Sequence, residues 1–167
     1  MTTIGPSLYL DLTAAEVTQG KGFSPGDMHT DHEGNVARYV EAGSNVSQYM
    51  FVVINGSNVA FPLSNAQGLA ACEIGVAHYS NIASASFGWV VIAGRPNGLV
   101  GGSAAVNLPI YTTTTAGMVD DATASAASFL LAGVKVAITN ASSGAAPTRV
   151  VLNHGAHVVI PIAVGHA

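Results

Sequence analysis

SFGWVVIAG, residues 86–94, holds the chain's only tryptophan in an apolar run with no charged neighbour. It is too short to span a membrane and reads as one strand, with Phe87, Trp89 and Val91 on one face and Gly88, Val90 and Ile92 on the other. Trp89 is expected to point into the domain. The opposite face is expected to be covered by another part of an assembly.

Outward from this strand, Gly, Pro and Asn cut the chain into short strands about every ten residues, the pattern of a sandwich or small barrel. DMHTD and VARYVEAG flank HEGN, where Gly34 and Asn35 are expected to take the positive φ of a tight turn. In the second strand Val36, Arg38 and Val40 share one face, and Ala37, Tyr39 and Glu41 the other. SQYMFVVI and VAFPL flank NGSN, and CEIGVAHYS and FGWVVIAG flank NIASAS. AVNLPIYTTTTAGMVDD supplies a strand and a turn at Ala116 and Gly117. GVKVAITN and TRVVLN flank ASSGAAP, leaving HVVIPIAV as a last strand. Helix signals are confined to LTAAEVTQG (residues 12–20) and DDATASAASFLLAG (residues 120–133), each ending on a glycine suited to a helix C-cap. The expectation is an all-β, single-domain β-sandwich or small β-barrel of antiparallel hairpins with little helix, over residues 21–167. Residues 1–20 are set apart as an arm that orders on contact. A faint internal echo aligns Gly75 with Gly133 and Trp89 with Arg149, which fits either duplication or two hairpins of one design.

Charge is the unusual quantity. Only 8 % of the 167 residues are charged, against 49 % hydrophobic. A folded monomer of this mass exposes roughly 7,600 Å², so five Lys and Arg and nine Asp and Glu leave about one charge per 550 Å². Surfaces this neutral are expected where proteins meet. Without a basic cluster, nucleic-acid binding lacks its electrostatic footprint. The first residues, MTTIGPSLYLDL, lack a basic start and a long apolar run, so neither a signal peptide nor a membrane span is expected, and synthesis is placed in a cytoplasm. Cys72 stands alone and cannot form an intrachain disulfide.

Residues that could carry chemistry are few. His29, Asp31 and His32, and likewise His154 and His157, invite a metal reading, but residues three apart on a strand point to opposite faces. His78 reads as a satisfied interior or interface side chain. Ser103 in GGSAA lacks the spacing of a nucleophile elbow, and Cys72 reads as strand core. GRPNGLVGG lacks the lysine and following helix of a phosphate loop and reads as a mobile surface loop. The sequons at Asn45, Asn55 and Asn140 are those expected by chance in a chain rich in Ser and Asn. Tyr39, Tyr49, Phe51, Phe61, Tyr79, Phe87, Trp89 and Tyr111 are spread one or two to a strand, as core anchors are. No catalytic, cofactor-binding or metal-binding residue is assigned.

The order of these segments resembles the small β-rich head decoration, or cement, proteins of tailed bacteriophages. The matching positions are Gly34, Asn35, Tyr39, Val40, Ala42 and Gly43; Gly88 and Trp89; Thr115, Ala116, Gly117, Val119, Asp120, Asp121 and Ala122; and Ala132, Gly133 and Val134. They span residues 20–153, leaving the last fourteen residues beyond the pattern. The resemblance implies a non-enzymatic virion protein without cofactor, binding the major capsid protein on the outside of an icosahedral shell. It implies a homo-oligomer, a trimer for preference, that bridges capsomers against internal DNA pressure. A carbohydrate-binding or fibre-tip β-sandwich module of a virion is the alternative, and a metal-dependent jelly-roll enzyme a third.

Overall fold

The computed structural model describes residues 12–13, 22–65, 72–122 and 128–159. Among them every regular element is a strand. Strands β3 (Val36–Ala42), β4 (Phe51–Ile54), β5 (Val59–Pro62), β6 (Glu73–Val76) and β7 (Ser86–Ala93) form a ring in the order β7-β3-β5-β4-β6, closed by a β6–β7 pairing. The fold is therefore a small closed β-barrel, one of the two expected architectures. All its pairings are antiparallel except β3 with β5. That parallel pair arises because the chain leaves β3, crosses the end of the ring to β4, and returns through the NGSN turn to fill the gap. The crossing loop carries Val46, bridged to Ile82 and buried with the lumen residues Val40, Val52, Ile54, Val90 and Ile92. Two short strands lie outside this ring: β1 (Leu12–Thr13) pairs with β7, and β2 (Met28–Thr30) with β3.

The second half repeats the plan. Strands β8 (Asn97–Val100), β9 (Tyr111–Thr112), β10 (Val119–Asp120), β11 (Leu130–Val136) and β12 (Ala146–Val159) pair in the order β12-β8-β10-β9-β11, closed by β11 on β12. Its one parallel pair, β8 with β10, matches β3 with β5. Agreement extends to single residues. Gly43 N donates to Ala60 O at 2.9 Å as Gly101 N does to Val119 O at 2.7 Å. Ile82 N donates to Val46 O as Asn140 N does to Ala104 O. Non-glycine Tyr49 and Asn107 take positive φ at equivalent points, and the hairpin positions Asn58 and Gly117 do likewise. The faint echo in the sequence thus marks a repeated five-strand unit.

The two rings share a core. All four residues of FVVI in β4 are buried: Val52 and Ile54 fill the first lumen, while Phe51 and Val53, with Ile74 and Val76 of β6, pack into a cluster with Val100, Ile110, Val119, Val134, Val150 and Leu152 of the second ring. Gly98 shows how closely they meet, because a Cβ there would lie 2.5 Å from the Phe51 ring.

Several expectations need correction. Trp89 is buried in the domain as expected, on the outer side of the first ring beneath Phe23 and β2, but the opposite face, with Val90 and Ile92, lines this chain's own lumen and not an assembly contact. Gly34 takes φ +81°, whereas Asn35 has no positive φ; it is buried, with its side chain bonded to Asp31. GRPNGLVGG contains β8, paired on both sides, and its glycines mark close approach: Gly98 against Phe51, Gly101 against the Asp120 carboxylate, Gly102 against the Ser143 backbone. In the stretch read as helix over 120–133, Asp120 belongs to β10 and residues 130–133 to β11; residues 123–127 lie outside the described residues. In the other, Leu12 and Thr13 form β1 and residues 14–20 lie outside them, as do residues 1–11 of the expected arm. HVVIPIAV is no separate strand, since β12 runs unbroken to Val159; residues 160–167 lie outside the described set.

Gly98→Ala is expected to destabilise the protein by about 1–3 kcal/mol through overpacking against Phe51. Phe51→Leu in the Gly98→Ala background should cost less than it does alone. Chemical-denaturation midpoints of the four chains in this cycle check it.

Candidate docking surface

The far end of the second ring is built by two loops. Residues 101–110 cross the ring from β8 to β9, and residues 137–145 join β11 to β12. Their backbones are tied by Ser103 N to Ser142 O at 3.0 Å, Asn140 N to Ala104 O at 3.0 Å and Asn107 N to Val136 O at 3.4 Å. Asn140 locks them. Buried where the first ring has Ile82, its Nδ2 shares its two hydrogens among the carbonyls of Val100 (3.1 Å), Gly101 (2.9 Å) and Gly144 (3.2 Å), and its Oδ1 accepts from Ser142 N. An apolar side chain there would leave buried carbonyls unpaired.

These loops expose Val106 (38 %), Leu108 (46 %) and Ile138 (60 %), three of the four exposed large hydrophobics among the described residues. The exposed residues around them are Ser103, Asn107, Pro109, Thr139, Pro147 and the run 141–145, none of which is ionised. Beside this end lies an open groove of about 390 Å³. It is lined by the cross-strand pair Asn97 and Arg149 and by Ile138, Thr139 and Pro147.

The equivalent face of the first ring is closed. There the matching cross-strand pair is Tyr39 and Trp89, buried with Phe87 and covered by Phe23 and the β2 hairpin. Phe23 meets Trp89 edge-on at 4.8 Å and Tyr39 at 5.5 Å; His29 of β2 meets Trp89 at 6.0 Å. The aromatics are therefore less dispersed than their spacing along the chain implies. Asp31 anchors this cover: it accepts from the Tyr79 hydroxyl at 2.6 Å, from Asn35 Nδ2 at 2.8 Å, and from the Glu33 and Asn35 amides. Burial pushes the Asp31 carboxyl up, but these hydrogen bonds outweigh it and hold it below the usual carboxylate range. Asp120 lies the other way. Its burial and the neighbouring Asp121 hold it above that range, against the Ala122 and Asp121 amides that bond it.

The residues singled out for chemistry do not converge. His29 packs on Trp89 and His32 is exposed in the turn; His154 and His157 are exposed on β12, with Gly155 at positive φ between them. Among the described residues no three His, Cys, Asp or Glu are grouped to hold a metal ion. His78 is half-buried, its Nδ1 accepting from Asn97 N at 3.1 Å. Ser103 is exposed at positive φ, and Cys72 is half-buried against the shared core. The sequon asparagines are structural: besides Asn140, Asn45 Oδ1 accepts from Ser84 N, and Asn55 Oδ1 from Ser57 N and Val59 N. Sequence reasoning missed the groove, although the echo that sets Arg149 against Trp89 already placed a cation where the first ring has a buried aromatic.

No protein-family model matches the chain, and no curated protein matches it in sequence. Among the described residues no helix is long and apolar enough to cross a membrane.

Asn140→Ala should cost about 2–3 kcal/mol by depriving the buried Val100 and Gly101 carbonyls of their side-chain donor, read from the denaturation midpoint. Because the folded pKa of Asp31 is depressed, its contribution to stability is full above the unfolded value and is lost as pH falls through the folded one. Tyr79→Phe should raise the Asp31 pKa, and an NMR titration of the carboxyl carbons between about pH 2 and 6 measures the shift.

Proposed function

We propose that this chain is a non-enzymatic structural protein of a bacteriophage virion, binding the outer surface of the head as a homo-oligomer and bridging neighbouring capsomers. The observation that carries the reading is the end of the second ring. The exposed Ala, Ser, Gly, Thr and Pro residues around Val106, Leu108 and Ile138 are uncharged, with Arg149 and Asp121 at their margin, and Asn140 holds the loops in place. Desolvating those exposed residues costs little, since none of them is an ion that must be stripped of water and small side chains lose little rotamer freedom. Weak contacts of this kind become firm when a lattice repeats them.

The major capsid protein is the partner this reading names. The resemblance in the order of segments supports it from the sequence side. The carbohydrate-binding alternative needs aromatic rings presented to solvent, and the burial of Tyr39, Phe87 and Trp89 weighs against it.

Co-sedimentation of the purified protein with mature phage heads, and with unassembled capsid subunits, tests the proposal. Binding is expected to the heads alone. Leu108→Asp should weaken it at least about tenfold with an unchanged melting temperature, as expected when an exposed apolar contact acquires a charge. Equal head binding by wild type and Leu108→Asp would move the docking surface elsewhere, and no head binding at all would overturn the function.

A further inference from the structure

We infer that copies of this chain associate head to tail, the acidic N-terminal hairpin of one copy seating on the outer face of the second ring of the next. The inference deepens the oligomeric part of the proposed function and does not depend on shell binding. Three observations lead to it.

The first is an asymmetry between the repeats. In the first ring the outer face at Tyr39 and Trp89 is covered by the segment preceding β3, with Phe23 and β2. In the second ring only Gly94, Arg95 and Pro96 separate β7 from β8, so the chain has no room there for a matching hairpin. The equivalent face at Asn97 and Arg149 is the open groove.

The second is charge. Lys135 is exposed on β11 opposite Val151, and Arg149 lies two residues from Val151 on β12. Neither cation has an ion-pair partner among the described residues, where Arg38 and Glu73 form the pair, at 2.7 Å. The hairpin carries the opposite sign. Asp27 and Glu33 are exposed and Asp31 is half-buried; of the described cations near them, Arg38, opposite Met28, is neutralised by Glu73, and Arg95 bonds Asn35 through its amide.

The third is the edge of β2 that has no strand partner among the described residues. Its pairing is with β3 on one side, and Met28, the remaining exposed large hydrophobic, stands 51 % exposed on it. Met28 flanked by Asp27 complements Ile138 and Pro147 flanked by Arg149. Such a contact is heterologous, joining different surfaces of two copies, and it closes into a ring when the rotation permits.

Sedimentation velocity of the full-length chain at about 100 mM salt tests this, in a range where exposed charge pairs are only partly screened. Wild type should sediment as a closed oligomer. The double variant Lys135→Glu with Arg149→Glu should be monomeric, and so should Asp27→Arg with Glu33→Arg, each with a melting temperature near that of wild type. All four substitutions in one chain reverse both sides together and should restore the wild-type oligomer. A monomeric wild type, a double variant that keeps the wild-type mass, or a quadruple variant that stays monomeric would each overturn the inference. Loss of head binding with the oligomer intact would count against the shell reading alone.

Discussion

The wall between the two rings is buried on both sides, and the rest of the molecule is arranged around that constraint. A strand in a small barrel normally turns one face to solvent; β4 and β6 turn theirs to a second core. Burying a side chain such as Phe51, Val53, Ile74 or Val76 contributes roughly 1.5–3 kcal/mol each, a sum comparable to the whole stability of an ordinary domain. Neither ring could therefore be separated from the other without exposing a surface built as interior. Gly98 is the sharpest sign of this fusion, since the second ring gives up a side chain where the first inserts Phe51.

Fusing the repeats along one wall leaves their free surfaces to diverge. The first ring spends its outer face on self-covering, with Trp89 beneath Phe23 and His29 and with the hairpin fastened by Asp31 to Tyr79. The second keeps the same backbone route but changes the chemistry. Asn140 stands where Ile82 plugs the first lumen, and Arg149 stands where Trp89 is buried. Both changes make the second ring more polar inside its loops and more open outside them. One copy of the repeat is thus closed over by its own chain, and the other carries the open groove.

How much of this was legible in the sequence follows from where alternation carries information. The turns at HEGN, NGSN and Ala116–Gly117 were readable because turns need particular backbone angles, and Gly34, Asn58 and Gly117 supply them. In SFGWVVIAG, by contrast, all residues from Phe87 to Ile92 are buried, so no polar partner marks which face is the lumen. Trp89 is buried as expected, but which of the two buried faces is the lumen could not be read for that reason. The glycines of GRPNGLVGG carry two opposite meanings, freedom or close approach, and only the Phe51 ring and the Asp120 carboxylate decide between them. The acids and closing glycine of DDATASAASFLLAG resemble helix signals, yet Leu130 and Leu131 pair with Val159 and Val158, so sheet formation overrides local preference.

Scarcity of charge acquires a physical meaning once the surfaces are separated. Low charge does not by itself make a surface adhesive; it lowers the cost of covering it. Long ionised side chains resist burial twice, through hydration and through the rotamers they lose, whereas the run 141–145 and its neighbours resist on neither count. The few charges the chain retains are then informative by position. Arg38 and Glu73 neutralise each other between two strands of the first barrel, while among the described residues Lys135 and Arg149 have no ion-pair partner on the second, nor do the hairpin acids on the first. A neutral surface sets no orientation, because apolar contact is non-directional. In the inferred head-to-tail association, sparse charges of opposite sign on the two rings supply that orientation, and their scarcity makes a misaligned contact the more costly.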